Sequence, residues 1–196
     1  MPNESTPLTQ AHLTTSETIE TLLQRRSIRK YNDEPVTDEQ VDAILRAAFR
    51  APTSSNIQSY SVITVRDPET KQKLSVPTGN QKHIIDCPVF LAFCADLTRL
   101  EHVLQGHGHT LEDNNMEIGL VSSIDASLIG MSAYLAAESL GIKGVMIGAV
   151  RNDAVKIAEI LGLTKFVYCV FGMCLGYPDE LPAQKPRMQQ DLVVHR

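Results

Sequence analysis

Apolar residues recur along the chain in two alternating rhythms. Ile19, Leu22 and Leu23 stand at helical spacing and predict a first helix over about Glu17 to Arg25. Thr37 to Gln40 has the form of a capping box, with Asp38 and Glu39 suited to the positive helix pole. Behind it Val41, Ile44, Leu45 and Ala48 give a stripe at i, i+3, i+4, i+7, so a helix is expected to about Arg50, stopped by Ala51-Pro52. Thr53 to Asn56 reads as a small donor-rich loop leading into a strand, Tyr60 to Val65. A short helix from Pro68 to Leu74 and a turn at Pro77 to Asn80 precede Val89 to Ala95, an unbroken apolar strand buried on both faces. A helix near Leu97 to Gln105 leads to the glycine-rich loop Gly106 to His109.

The longest apolar stretch, about Met116 to Leu140, predicts a long helix capped by Gly141. It is apolar around most of its circumference, which assigns it to the core or to a subunit interface. Val145 to Ala149 follows as a strand, then a helix capped by Asn152 or Asp153 through Leu161, and a fourth strand from Phe166 to Leu175. The tail from Tyr177 to Pro186 is proline-rich and extended. Strands and helices mix without strict alternation, and the links from Thr64 to Val89 and from Phe93 to Val145 are long. The expectation is an α+β layered fold with a central mixed sheet of four to five strands flanked by helices.

Composition narrows the class. A chain of 196 residues, 43% hydrophobic, suffices for one domain, expected over 17–196 behind a polar, flexible segment at 1–16. That segment has no apolar run of a secretory signal, and Ile118 to Leu140 is interrupted by Ser122, Ser123, Asp125, Ser132 and Glu138, so no membrane span is expected. Cys87, Cys94, Cys169 and Cys174 make no C-x-x-C pair and read as core thiols of a reducing compartment, pointing to the cytoplasm. A net charge of −5 argues against general nucleic-acid binding.

Against that acidic background, Arg25-Arg26-Ser27-Ile28-Arg29 gathers three guanidinium groups and a hydroxyl. Forked, permanently charged donors of this kind suit a dianion such as phosphate, although a solvated helix end also accommodates them. Further donors stand at Thr53 to Asn56, at Gln81, and at Lys185-Pro186-Arg187, while Met146-Ile147-Gly148-Ala149 ends a strand in small residues that admit a planar ring. His107 and His109 with Glu112 and Asp113 are too loosely spaced for a metal site, and none is expected.

Taken in order, these segments resemble the nitroreductase family of FMN enzymes. The matching strings are Arg25 to Arg29, Ala51 to Gln58, Gly79 to His83, Ile147 to Asn152, and Phe171 to Pro178 with Lys185 to Arg187. They are most similar to its oxygen-insensitive NADPH nitroreductase and flavin reductase branch, over about Thr18 to His195. The resemblance implies a homodimer with FMN at the subunit interface. It implies that Arg25, Arg26, Ser27 and Arg29 meet the flavin phosphate and ribityl chain and that Lys185 and Arg187 close over the phosphate. Thr53 and Gln81 would meet the flavin, with Ser55 and Asn56 as additional contacts, and Met146, Ile147, Gly148 and Ala149 would lie beside the ring. The chemistry would be borne by the flavin with no catalytic side chain: NADPH or NADH reduces it, and a small flat acceptor (nitroaromatic, quinone or free flavin) reoxidises it by a ping-pong cycle. Larger members continue past the equivalent of Leu192 to His195, which leaves NADPH and NADH both open. A flavin-binding carrier or sensor without turnover is the alternative.

Overall fold

The computed structural model describes residues 15–112 and 115–196. The expected flexible segment therefore lies mostly outside the described residues, as does Asp113. Ser16 already belongs to the fold, because its hydroxyl accepts from the Ile19 amide and caps α1, Glu17–Gln24. The capping box is present at the start of α2, Asp38–Ala48, with Thr37 and Gln40 satisfying each other's backbone amides. Four strands follow at β1 (Tyr60–Val65), β2 (Val89–Asp96), β3 (Lys143–Ile147) and β4 (Val167–Gly176). The remaining helices are α3 (Pro68–Ser75), α4 (Lys82–Asp86), α5 (Thr98–Gly106), α6 (Met116–Ser139) and α7 (Ala154–Leu161).

The sheet has the order β1-β2-β4-β3, and every neighbouring pair is antiparallel. The expectation of a mixed sheet is thus corrected: there are four strands and no parallel pair among the described residues. An unbroken apolar strand reports burial on both faces, and long links report distance travelled; neither reports direction. The alternation along β2 shows what the burial is for. Leu91 and Phe93 face a core shared with Val41 and Ile44 of α2 and Ile129, Ala133 and Tyr134 of α6. Phe90, Ala92 and Cys94 face the other side, against Leu74 of α3, Ile84 of α4 and Ile157 of α7. Each large side chain fully buried in these layers contributes about 1.5–3 kcal/mol.

Helix α6 spans 24 residues and is by length and hydropathy sufficient to cross a membrane, yet one face packs into the core. Gly130 sits where a Cβ would lie 2.2 Å from the Phe171 ring, so the helix approaches the sheet closely at that turn. The opposite face leaves Leu120, Ile124, Leu128 and Met131 exposed at helical spacing. The third strand ends earlier than expected: at Gly148 the chain enters a 3-10 turn through Arg151, so Gly148 and Ala149 follow the strand rather than belong to it. Helix α4 was not anticipated, since five residues are too few to display a period.

Candidate functional site

Between α1 and α2 the chain from Arg25 to Val36 forms no helix or extended strand, so its backbone polar groups must find partners elsewhere. Two tyrosines, Tyr134 buried and Tyr31 half-buried, supply some of them. Tyr134 of α6 donates its hydroxyl to the Arg26 carbonyl at 2.9 Å and to the Gly144 carbonyl at 3.3 Å. Tyr31 donates to the Ile28 carbonyl at 2.8 Å. Burial, with Glu138 nearby, pushes the Tyr134 hydroxyl up to about 12, and burial raises that of Tyr31 well above its ordinary value, so both stay protonated donors. The Ile28 amide donates to the Gly144 carbonyl at 3.0 Å, tying the segment to β3.

A second irregular stretch, beyond β4, straps the first from outside. Asn32 donates its amide to Tyr177, and Asp179 donates to Lys30, both at 3.0 Å. Glu180 accepts from the amides of Arg29 and Lys30. Gln184 donates its side-chain amide to the Leu23 carbonyl at 2.6 Å. Held this way, the two stretches open a cleft of about 320 Å³ between them. Arg25, Arg26, Ser27 and Arg29 line it from one side, Lys185 and Arg187 from the other, with no carboxylate among its lining residues. Arg25 also lies 5.6 Å from the centre of the Tyr134 ring, a cation–π placement. The Arg26 Nε is buried without a hydrogen-bond partner.

Five cations and a hydroxyl gathered in one cleft of a net-acidic chain are suited by their chemistry to an anion. The donor set fits a phosphate monoester, whose oxygens accept forked guanidinium bonds two at a time. A neighbouring cleft shares Ser27 and Arg29 and adds Lys30, Lys82 and His83, but its wall also carries the carboxylates of Asp86, paired with Lys82, and Glu180. Burial, then the charge of Arg29, lowers the affinity of His83 for a proton, so its imidazole is neutral at neutral pH.

The other expected flavin contacts are placed differently. Gln81 stands at the N-terminus of α4, where its Nε2 donates to the Thr78 carbonyl at 2.8 Å, one residue before Lys82 and two before His83. Met146 and Ile147 end β3, whose Gly144 anchors Ile28. The open side of Gly148 is faced by the Arg151 guanidinium, 3.3 Å from where a Cβ would be. Thr53, Ser55 and Asn56 do not line the cationic cleft in the single chain. Their loop is bound to the N-terminal half of α6 through Asp125, nine residues before Tyr134 and therefore about 14 Å away along the helix. His107 and His109 are exposed at the end of α5, and among the described residues no group of three metal-ligating side chains is assembled.

Asp125 was legible only as an interruption in an apolar run. Fully buried, it accepts from the Ser54 amide at 3.0 Å, the Ser59 amide at 3.1 Å and the Ser59 hydroxyl at 2.9 Å. The loop it holds carries Ser55, Asn56 and Gln58 in the left-handed region, at φ of 48°, 56° and 57°. Such residues each cost about 1–2 kcal/mol and persist where surrounding bonds over-determine them, often at functional sites. Tyr31, Tyr134, Glu180 and Gln184 were likewise not singled out as site residues. Only Tyr134 carried a signal, a hydroxyl on the buried face of a long, largely apolar helix.

The chain matches the family model described as "Nitroreductase family" over residues 22–177. It is 44% identical over 183 residues to the FMN reductase [NAD(P)H] of Bacillus subtilis, covering 92% of this chain and 74% of that protein. It is 41% identical over 183 residues to the oxygen-insensitive NADPH nitroreductase of Salmonella typhimurium, covering 92% and 73%. The solved structure of B. megaterium NfrA2 superposes with a TM-score of 0.90 at 40% identity, covering 93% of this chain and 74% of that one.

Proposed function

The chain belongs to the nitroreductase family, and on that premise we propose that it holds FMN through the cationic cleft and uses NAD(P)H to reduce small flat acceptors. The observation that carries this reading is the convergence of Arg25, Ser27 and Arg29 with Lys185 and Arg187, some 160 positions away in sequence, on one cleft that lacks acidic lining. Related proteins named as an FMN reductase and an NADPH nitroreductase support the choice of flavin and donor.

Bound there, FMN would supply the two-electron chemistry, taking hydride from the nicotinamide and passing it to a nitroaromatic, quinone or free flavin. The chain's own residues bind and orient. Arg25, Arg29, Lys185 and Arg187 neutralise the phosphate, Arg26 brings a half-buried side chain with an unpartnered Nε to the same wall, and Ser27 adds a hydroxyl. Gln81, at the start of α4, and the backbone from Met146 to Ala149 would meet the ring, the amides offering donors where negative charge develops. We assign Thr53, Ser55 and Asn56 to the flavin of a partner subunit, because they do not line their own chain's cationic cleft and their loop is anchored at Asp125, about 14 Å along α6 from the Tyr134 that holds Arg26. The exposed stripe of Leu120, Ile124, Leu128 and Met131 beside that loop supports a homodimer.

The test is spectroscopic. Purified protein should be yellow or become so with FMN. Under anaerobic conditions NADPH or NADH should bleach the flavin without acceptor, and a quinone should restore it. A yellow protein inert to both nicotinamides would favour a carrier; a colourless one that cannot be reconstituted would overturn the reading. Light scattering should give twice the monomer mass.

A further inference from the structure

Glu180 is an acidic residue placed beside the most basic part of the chain. It lines two hollows flanking the cationic cleft, one with Arg26 and Lys143, the other with Ser27, Arg29 and Lys82, but not the cationic cleft itself. Its Oε1 accepts from the Arg29 amide at 2.7 Å and the Lys30 amide at 3.2 Å. Two successive amides turned toward one oxygen form a small anion-binding concavity, filled here by the chain's own carboxylate. Next to this contact the same two stretches are joined backbone to backbone, at Tyr31 and Pro178 and from Asp179 to the Lys30 carbonyl, and farther along on the other side Gln184 bonds the Leu23 carbonyl.

We infer that Glu180 is a positioning residue for phosphate recognition: from behind the segment it fixes the Arg29 backbone so that the guanidinium is presented to the cleft. The inference rests on the flavin reading above. Two effects of the carboxylate carry opposite signs. Its charge opposes a bound phosphate nearby, so electrostatics alone predicts that removing it tightens FMN binding. Its two bonds hold the loop that offers Arg29, so positioning predicts that removing the acceptor loosens FMN binding.

The experiment measures the dissociation constants of FMN and of riboflavin, which lacks the phosphate, by flavin fluorescence quenching. The proteins are the native chain, Glu180→Ala and Glu180→Gln, each checked by thermal melting without flavin. The Ala variant should bind FMN at least tenfold more weakly and riboflavin within threefold of native. The Gln variant, which keeps an acceptor oxygen without the charge, should recover FMN affinity to within threefold. FMN binding that is unchanged or tighter in the Ala variant overturns the inference, as does equal loss of both flavins or failure of Gln to rescue. Those outcomes leave the flavin reading intact if the native chain still prefers FMN; a native chain without that preference removes both.

Discussion

Replacing Asp125 with alanine removes the anchor of the Thr53–Gln58 loop from the middle of α6. The carboxylate accepts three hydrogen bonds, two from backbone amides and one from a hydroxyl, all at 2.9–3.1 Å. Bonds to a charged acceptor are worth about 1.5–3 kcal/mol each, a gross contribution of about 4.5–9 kcal/mol. The Ser54 amide is half-open to solvent and can turn to water, and the released loop sheds about 1–2 kcal/mol of strain for each left-handed residue. The Ser59 amide is buried and loses its partner outright. The net destabilisation should be about 3–5 kcal/mol. For a chain of 196 residues, at about 2–4 °C per kcal/mol, the melting temperature should fall by about 6–20 °C. Asparagine keeps one acceptor but turns an NH₂ toward the Ser59 amide, so Asp125→Asn should lose about half as much. Thermal melting at fixed protein concentration reads the stability, and limited proteolysis should cut the variant first between residues 53 and 58. An alanine variant within about 1 kcal/mol of native, with the loop still protected, would refute the anchoring role.

Other expectations follow from the same geometry. Tyr134→Phe removes a hydroxyl donated to the Arg26 and Gly144 carbonyls, and should cost about 1–2 kcal/mol in urea unfolding. It should also weaken FMN more than riboflavin, because the loop it releases is the one proposed to meet the phosphate. His83 binds a proton less readily folded than unfolded, so its contribution to stability is fully present above the ordinary value of 6.5 and is lost as pH falls below that toward its lower folded value. Unfolding free energy should therefore decline from pH 7 to 5.5, and His83→Gln should flatten that decline; an unchanged slope would contradict the assignment. Gly130→Ala places a methyl 2.2 Å from the Phe171 ring and should destabilise by about 1–3 kcal/mol, against the gain alanine brings to a helix elsewhere.

The sequence disclosed those features that depend on near neighbours. The capping box at Thr37, the strand at Tyr60–Val65 and the stop at Gly141, whose φ is +78°, were legible because each is written within a few residues. The cationic cleft was legible in part: an acidic chain with clustered arginines announces an anion, and the ordered family segments supplied Lys185 and Arg187. Strand direction was not legible, since the same apolar run over Val89–Asp96 serves a parallel or an antiparallel neighbour equally. Nor were the residues that hold the site together. Glu180 and Gln184 make their bonds 151 and 161 positions away, and no local pattern distinguishes them from solvated side chains. Asp125 stood out only as a carboxylate in an apolar helix, its partners 71 and 66 residues upstream.

The central claim is that the cleft between Arg25–Arg29 and Lys185–Arg187 recognises a flavin by its phosphate. Equilibrium titration of the native chain with FMN and with riboflavin, at low and at high salt, tests it most directly. FMN should bind at least 100-fold more tightly, a difference of about 2.7 kcal/mol that two charge-assisted contacts suffice to supply. That advantage should shrink as salt screens the site. Equal affinity for the two flavins, or a preference indifferent to salt, would contradict the account.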